Sequence, residues 1–329
     1  MLRTLCLAAA LVLAACEGLA ANAPIAEQWR GIDVSATPLA FGEERVGRLR
    51  YRGGLELGSQ SAAFGGLSGM EVLEDNRLIA ISDDGNWFEA RLVLDDAGAL
   101  VGVVDWRTAL MRDEAGEPFA NKRAGDSEDL AQLPDGRFVV SFEQSQTLRI
   151  YDLNRDGPFG AAEAGPTLAE TRSLPSNAGL EAVAATADGA LIVGAEGGRR
   201  ATTPLWRAPL DAQAPVAPSA RYRLATGYSL TSLDRLPDGG FVALERFFAP
   251  VIGPRARITR FELDAEGEIG EIEALAAFAP PLPIDNFEAI AAVSLADGAT
   301  RIYVLSDDNF SPRQRTLLLA FDVTEPNAN

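Results

Sequence analysis

Five segments of the chain repeat one pattern: a polar start, an apolar run, a D-G or D-N turn, a second apolar run and then an acid. The turn aspartates of the five segments, about 50 to 60 residues apart, are Asp75, Asp135, Asp188, Asp238 and Asp297. Asp-Gly between two apolar runs is a strong signal for a β-hairpin, and further strand-like runs lie between the hairpins. Repeats of this kind, with about four strands each, are typical of β-propeller blades.

The pattern predicts an all-β fold, a β-propeller with six blades. Five blades are visible as repeats. The sixth is expected to combine the N-terminal region Val46–Leu57 with the C-terminal strand Thr316–Val323, so that the terminal strands close the ring. Five or seven blades are the alternatives. An open pair of β-sandwiches is a further all-β arrangement, but it does not need the same hairpin five times.

The N-terminal residues have the features of an export signal. Arg3 precedes a short apolar segment, Leu5–Leu13, and the sequence from Leu13 to Cys16 resembles the bacterial lipobox. A lipobox implies cleavage before Cys16, acylation of its thiol and export. The apolar segment is too short to span a bilayer. The alternative is an ordinary signal peptide that is cut near Ala23.

We therefore predict a lipoprotein signal peptide over residues 1–15, a tether over residues 16–30 and a single propeller domain over residues 31–325. The mature protein is expected to face the periplasm, with the lipid on Cys16 as its only link to the inner or outer membrane. Cys6 leaves with the signal peptide, so the mature chain has no internal disulfide.

Charge and composition exclude several classes of function. The formal net charge of −18 at pH 7 argues against nucleic acid or an anionic membrane surface as a partner. The chain contains no histidine, which excludes a Ser-His-Asp triad and a histidine general base. Oxygen ligands without histidine favour Ca²⁺ or Mg²⁺ over zinc or iron.

The register of the hairpins places acids together. If the D-G or D-N pair forms the centre of each turn, the residues at the far end are opposed as follows: Ser68 and Asp83, Glu128 and Glu143, Glu181 and Glu196, Thr231 and Arg246, Glu288 and Asp307. Equivalent positions of propeller blades face one axis, so these side chains should converge at one mouth of the central channel. Like charges in contact destabilise a sheet and raise each other's pKa, and a hard cation would offset this. The alternative is that the acids cap strands and pair with nearby arginines.

The candidate site follows from this convergence. The predicted ligands of Ca²⁺, or of another hard divalent cation, are Asp83, Glu128, Glu181, Glu196, Glu288 and Asp307. The predicted catalytic residues are Glu128, Glu181, Arg246 and Arg313, because the guanidinium forks of the two arginines match a phosphoryl group. Alternatively, the preference of this chain for Arg over Lys reflects coding bias, and the arginines solvate loops.

Short motifs in every repeat resemble the phytase-like family, which carries the label "esterase-like activity of phytase". The motifs are Gly66-Leu67-Ser68-Gly69, Ile81-Ser82-Asp83, Asp126-Ser127-Glu128, Gly179-Leu180-Glu181, Glu245-Arg246-Phe247, Asp285-Asn286-Phe287-Glu288 and Ser306-Asp307-Asp308-Asn309-Phe310. The resemblance extends from about Gly53 to Val323. It implies a propeller similar to the calcium-dependent β-propeller phytases, which hydrolyse phosphomonoesters with metal-held water.

The family motifs carry over to the following positions: Asp83, Glu128, Glu181, Glu245, Arg246, Glu288, Asp307 and Asn309. β-Propeller phytases also use several lysines and tyrosines around phosphate, whereas this chain has one lysine, Lys122, and five tyrosines. That departure argues against phytate itself as the substrate.

The sequence thus predicts an exported, phytase-like propeller that hydrolyses phosphoesters with a metal-activated water and binds a small phosphoester or another anionic ligand. The alternative function is a non-catalytic propeller that binds a ligand or partner and uses calcium for stability alone.

Overall fold

The computed structural model describes residues 28–175, 178–197, 200–264 and 267–324. The predicted signal peptide (1–15), the acylated Cys16 and most of the tether (16–30) lie outside the described residues. Within the described ranges, the helices are far too short and polar for a passage through the hydrocarbon of a bilayer.

The strands run in chain order as β1 (Arg30–Gly31), β2 (Val34–Pro38), β3 (Arg45–Val46), β4 (Leu49–Ser59), β5 (Leu67–Val72), β6 (Arg77–Ser82), β7 (Asn86–Leu94), β8 (Leu100–Leu110), β9 (Ser127–Gln132), β10 (Phe138–Phe142), β11 (Thr147–Tyr151), β12 (Glu163–Ala164), β13 (Leu180–Ala185), β14 (Leu191–Ala195), β15 (Thr202–Ala208), β16 (Ala220–Arg223), β17 (Ser229–Arg235), β18 (Phe241–Ala249), β19 (Gly253–Phe261), β20 (Glu273–Phe278), β21 (Asn286–Ser294), β22 (Thr300–Asp307) and β23 (Thr316–Val323). A four-residue helix, α1 (Lys122–Gly125), precedes β9, and 3-10 turns lie at Gly157–Phe159 and Thr171–Ser173.

Five antiparallel sheets form the blades of a propeller. Blades 1 to 4 contain β5–β8, β9–β12, β13–β16 and β17–β20, and the short strand β1 pairs with β8 at the outer edge of blade 1. Blade 5 contains β21, β22, β23, β4 and β2 in that order. The first strand named in each blade is the innermost one. Each innermost strand contacts the innermost strand of the next blade, and β21 of blade 5 contacts β5 of blade 1. The five predicted hairpins are thus the inner strand pairs of five blades.

The prediction of six blades is wrong, because the regions expected to form a separate blade complete blade 5. Strand β23 pairs with β22, and β4 pairs with β23. The last hairpin supplies only two strands, whereas each of the other blades has at least four. The C-terminal strand and an N-terminal strand provide the missing two, so the described residues leave no strands for a sixth blade.

The hairpin turns contain three residues rather than two. In blade 5 the N–H of Gly298 donates to the carbonyl of Leu295 at 2.9 Å, and Gly298 has a φ of 83°. This is a type I turn followed by a residue in the left-handed region, a common hairpin loop of three residues. Ala289 consequently pairs with Leu305, one residue away from the predicted register.

Apolar clusters fill the spaces between neighbouring blades. Between blades 1 and 2, for example, the ring of Trp87 packs edge-on against Phe138 and Tyr151, with centroids 6.4 and 5.2 Å apart. Four similar clusters join the other pairs of blades, including blades 5 and 1. Since both faces of a blade are covered, its strands read as continuous apolar runs rather than as alternating ones.

A buried carboxylate ties the inner strands together across the axis. Asp129 of blade 2 accepts hydrogen bonds from the N–H groups of Val183 (2.9 Å) and Leu233 (3.2 Å), which belong to blades 3 and 4. Its two oxygens each lie 3.1 Å from the hydroxyl of Ser232, and that hydroxyl accepts the N–H of Ile290 in blade 5. The side chains of Asp129 and Ser232 thus connect four of the five blades.

We expect Asp129→Ala to lower the free energy of unfolding by about 3 kcal/mol or more, because it leaves several buried donors without an acceptor. Asp129→Asn keeps one oxygen in place for the two N–H groups and should cost clearly less. Urea denaturation followed by circular dichroism measures both changes. Equal stability of the alanine variant and the parent protein would contradict this role for Asp129.

Candidate metal centre

A β-bulge occurs at the equivalent position of every innermost strand. In blade 3, Leu180 pairs with Ala195 and Ala182 pairs with Gly194, which leaves Glu181 as the extra residue. The extra residues in blades 1, 4 and 5 are Ser68, Thr231 and Glu288, and in blade 2 the bulge falls on Glu128 and Asp129. A bulge bends the strand and redirects the side chain that it carries. Here it occurs where the inner strands reach one mouth of the channel.

The ends of the blades that carry the acidic side chains meet in one cavity of about 210 Å³ at this mouth. Its lining residues are Ser68, Asp83, Glu128, Glu143, Glu181, Glu196, Arg246, Glu288, Asp307 and Asn309. Seven of these ten side chains are carboxylates and one is a guanidinium. All six acids that the sequence singled out as ligands lie here, together with Arg246. Arg313 is different: it lies exposed on the loop after β22, where its N–H donates to the Ser311 hydroxyl at 3.3 Å.

The predicted pairing of the acids is not the observed one, although the acids do meet. Asp307 pairs with Asn286 rather than with Glu288. The N–H of Glu143 donates to the carbonyl of Asp126, so Glu143 lies opposite Asp126 rather than Glu128. The three-residue turn and the bulge each displace the register by one residue. The total displacement is two residues, the side-chain period of a strand, so the carboxylates still reach the same mouth.

The geometry adds ligands that the sequence reasoning did not assign. Carboxylate oxygens of Asp126, Glu128 and Glu143 all lie within 4.8 Å of one another. Calcium binds oxygens at about 2.3 to 2.6 Å, so one ion could contact all three groups. The sequence carries a signal for Glu143, because the predicted hairpin register already placed it opposite Glu128. The position of Asp126 depends on the β-bulge, which the predicted register did not include.

Arg246 compensates one side of the cavity. Its guanidinium lies 3.0 Å from the carboxylate of Glu288 and 3.6 Å from that of Glu196, and it donates to the Asn286 side chain at 2.5 Å. Glu128, Glu143 and Glu181, in blades 2 and 3, form no ion pair with the described residues that line the cavity. The uncompensated negative charge is therefore concentrated around Glu128.

Lys122 of helix α1 lies at the rim on the other side. Its ammonium group is 2.5 Å from the Asp83 carboxylate and 3.3 Å from that of Asp126. The second oxygen of Asp83, Oδ1, is buried and has no hydrogen-bond partner among the described residues. An orphaned carboxylate oxygen beside a group of further carboxylates fits a hard divalent cation, which prefers oxygen ligands.

The carboxyl groups of the cavity hold their protons more tightly than free side chains do. Burial raises the pKa of Glu128 and Glu181 well above its ordinary value, and the neighbouring carboxylates raise it further. Burial also raises the pKa of Glu288 to about 7, against an opposing effect of Arg246. The pKa of Asp307 is raised to about 8, again mainly by burial. Near neutral pH these groups share protons unless a cation replaces them.

The chain belongs to the phytase-like family: the family model described as "Phytase-like: Esterase-like activity of phytase" matches residues 62–310. No curated protein matches the chain.

Several solved structures are similar at low identity. An aldose sugar dehydrogenase from Streptomyces coelicolor, with PQQ bound, is 11% identical and matches over 88% of this chain and 98% of its own, with a TM-score of 0.42. A gluconolactonase from Xanthomonas campestris is 15% identical over 90% of this chain and 88% of its own, with a TM-score of 0.43. A protein of unknown function from Dyadobacter fermentans is 14% identical over 90% and 96%, also with a TM-score of 0.43. Similarity at this level assigns no reaction to the chain.

The raised pKa values predict how stability changes with pH in the absence of metal. Glu288 and Asp307 bind protons in the folded protein up to about pH 7 and 8, whereas the unfolded chain releases them near 4.5 and 3.8. Their contribution to stability is therefore complete below the unfolded pKa and is lost as the pH rises through the folded pKa. We expect the melting temperature in chelator to fall between about pH 5 and pH 8, and Ca²⁺ to raise it most at pH 8.

Thermal denaturation with chelator and with Ca²⁺ at both pH values tests this expectation. Asp307→Asn should flatten the pH dependence, while Asp211→Asn, at an exposed position outside the cavity, should leave it unchanged. A chelated protein that becomes more stable as the pH rises would show that these acids do not share buried protons.

Proposed function

We propose that this protein is a hydrolase of small phosphoesters that depends on Ca²⁺ or another hard divalent cation. The observation that carries the proposal is a single cavity that contains both a group of close carboxylates and a guanidinium. Membership of the phytase-like family supports the same class of reaction.

In this proposal the cation is held first by Asp126, Glu128 and Glu143, whose oxygens are close enough to contact one ion. The other carboxylates of the cavity complete the ligand set or its surroundings: Asp83, Glu181, Glu196, Glu288 and Asp307. Calcium takes about six to eight oxygen ligands, so a set of this size is reasonable. When bound, such a cation supplies a Lewis acid and lowers the pKa of the water that it coordinates.

The chain's own residues position the substrate and move the proton. Arg246 binds the phosphoryl oxygens, and its looser ion pair, the one with Glu196 at 3.6 Å, is the one that a phosphoryl group replaces. With a cation in place of the shared protons, Glu181 would be ionised and takes the proton of the attacking water as the new P–O bond forms; burial raises its pKa and makes it a stronger base than a free carboxylate. The P–O bond to the leaving group breaks, and the leaving oxygen takes the proton that Glu181 received. Arg313, exposed on the loop after β22, attracts the anion.

A second candidate is a propeller that binds a ligand or partner without catalysis and uses the cation for stability. The observation in its favour is that blades 1, 2, 3 and 5 all supply carboxylates to the cavity, so a bound cation could link four of the five blades.

We further propose that the mature protein is exported, faces the periplasm and is anchored through a lipid on Cys16. The lipobox supports this location, and the net charge of −18 supports a partner that is neither nucleic acid nor an anionic membrane surface.

We expect Glu128→Gln to reduce phosphomonoester turnover by about 100-fold, the loss typical of removing one strong electrostatic contact in an active site. Glu74→Gln is the matched control, because Glu74 is exposed and lines the opposite end of the channel. The measurement is phosphate release from a panel of phosphomonoesters with Ca²⁺ and with chelator. Absence of metal-dependent turnover on every substrate would refute the enzymatic proposal.

Glu288→Gln separates the two candidate functions. If the protein is an enzyme, this variant should lose turnover while its melting temperature in Ca²⁺ stays close to that of the parent. If the cation only stabilises the fold, the melting temperature falls and no turnover is present to be lost.

A further inference from the structure

Phe310 lies at the lip of the cavity, directly after the lining residue Asn309. Its ring packs on the backbone of Gly65 and Gly66: a Cβ added to Gly65 would lie 2.8 Å from the ring, and one added to Gly66 would lie 2.6 Å from it. The Gly66 Cβ would also collide with the orphaned oxygen of Asp83. Gly66 therefore lies between the ring of Phe310 and the carboxylate of Asp83, and a side chain at this position would collide with both. The ring is nevertheless 46% exposed.

The loop holds this ring in an unfavourable backbone conformation. Asn309 and Phe310 have φ values of 48° and 49°, in the left-handed region that side chains other than glycine avoid. Asp308 stabilises the conformation: Oδ1 accepts the N–H groups of Phe310 (3.0 Å) and Gly66 (3.2 Å), and Oδ2 accepts the Thr316 hydroxyl (3.2 Å). A half-exposed ring contributes less to a core than a buried one. Strain at such a place is typical of functional sites.

A second exposed aromatic ring stands on the Arg246 side of the cavity. Strands β18 and β19 pair without interruption out to Ala249 and Gly253, so this hairpin continues past Arg246. Residues two apart lie on the same face of a strand, which places Phe248 on the face of Arg246 and about 7 Å farther out. Phe248 is 68% exposed. Blade 4 beyond Arg246 and the loop after β22 in blade 5 thus each carry an exposed aromatic residue.

Positive charge is scarce among the described residues at the same mouth. Of the described residues that line the cavity, Arg246 alone is cationic. Lys122 at the rim is engaged by Asp83 and Asp126. A substrate with many phosphoryl groups would meet carboxylates rather than cations, whereas one phosphoryl group can be matched by Arg246 and one bound cation.

We propose that Phe310 is a specificity-determining residue, and that the substrate is a phosphomonoester whose leaving group carries an aromatic or other planar apolar ring. The ring of the substrate stacks on the exposed part of Phe310 while its phosphoryl group enters the cavity towards Arg246. The inference rests on the proposed phosphoester hydrolase and names its substrate class.

The test compares benzylphosphonate with ethylphosphonate, which are not hydrolysed, by calorimetry in Ca²⁺. We expect the parent protein to bind benzylphosphonate about tenfold more tightly, a typical gain for an aromatic contact and its buried area. Phe310→Ala should abolish this preference and leave ethylphosphonate binding unchanged, and Phe310→Tyr should retain the preference. Val101→Ala is the control, because Val101 is also 46% exposed but lies on the outer strand of blade 1.

Turnover of benzyl phosphate and ethyl phosphate completes the test, because their leaving alcohols are of similar acidity. A preference for the benzyl compounds that is lost in Phe310→Ala supports the inference. Equal binding of the two phosphonates by the parent, or an equal loss of both in Phe310→Ala, overturns it. Ring-dependent binding without any turnover refutes the hydrolase and leaves the ring contact established. Absence of binding of both phosphonates overturns the two proposals together.

Discussion

The fold depends on how the innermost strands satisfy the hydrogen-bonding groups that face the axis. Each of these strands pairs with a partner on its outer side only, so its other edge presents N–H groups that need acceptors. Asp129 and Ser232 supply acceptors to three neighbouring blades. The hydroxyls of Ser68 and Ser127 donate to the carbonyls of Ser127 and Ser82, which links blades 1 and 2 through polar contacts. The axis of the ring is therefore polar by necessity, although its surroundings are apolar.

A polar axis explains why carboxylates can accumulate at one mouth. Towards the opposite end of the channel, Glu71 and Asp234 accept hydrogen bonds from the backbone N–H groups of Gln132 and Ala292. At the mouth the bulges interrupt the ladder. There seven carboxylates line the cavity beside a single guanidinium, and Oδ1 of Asp83 has no hydrogen-bond partner among the described residues. The excess of acceptors is what distinguishes a cation site from acids that only cap strands.

The sequence contained the local features of this fold but not its long-range closure. Each inner hairpin is encoded within about 20 residues, by two apolar runs and a D-G or D-N turn, and all five were found. The outer strands of blade 5 come from opposite ends of the chain. Ring closure predicts that these two regions associate, but no local signal shows that they extend the last hairpin instead of forming a sixth blade. The edge of the cavity near Phe310 also depends on distant parts of the chain, because the hydrogen bond there joins Gly66 to Asp308, 242 residues apart. The convergence of the acids was predictable because it requires only that equivalent blade positions face one axis.

One blade departs from the others in a way that bears on function. The residue at the mouth of the second strand is Asp83, Glu143, Glu196 and Asp307 in four blades, and Arg246 in blade 4. Five acids at these positions would form a nearly symmetric ring of oxygen ligands, which is sufficient for a calcium ion that only stabilises the fold. Replacing one acid by arginine weakens cation binding by such a ring, since the guanidinium neutralises Glu288 and approaches Glu196. In the proposed reaction, it also gives the cavity a cationic group that could bind an anion beside the carboxylates that would hold a cation. A hydrolase of phosphoesters requires both kinds of group, and the asymmetry of blade 4 therefore favours catalysis over a purely structural role.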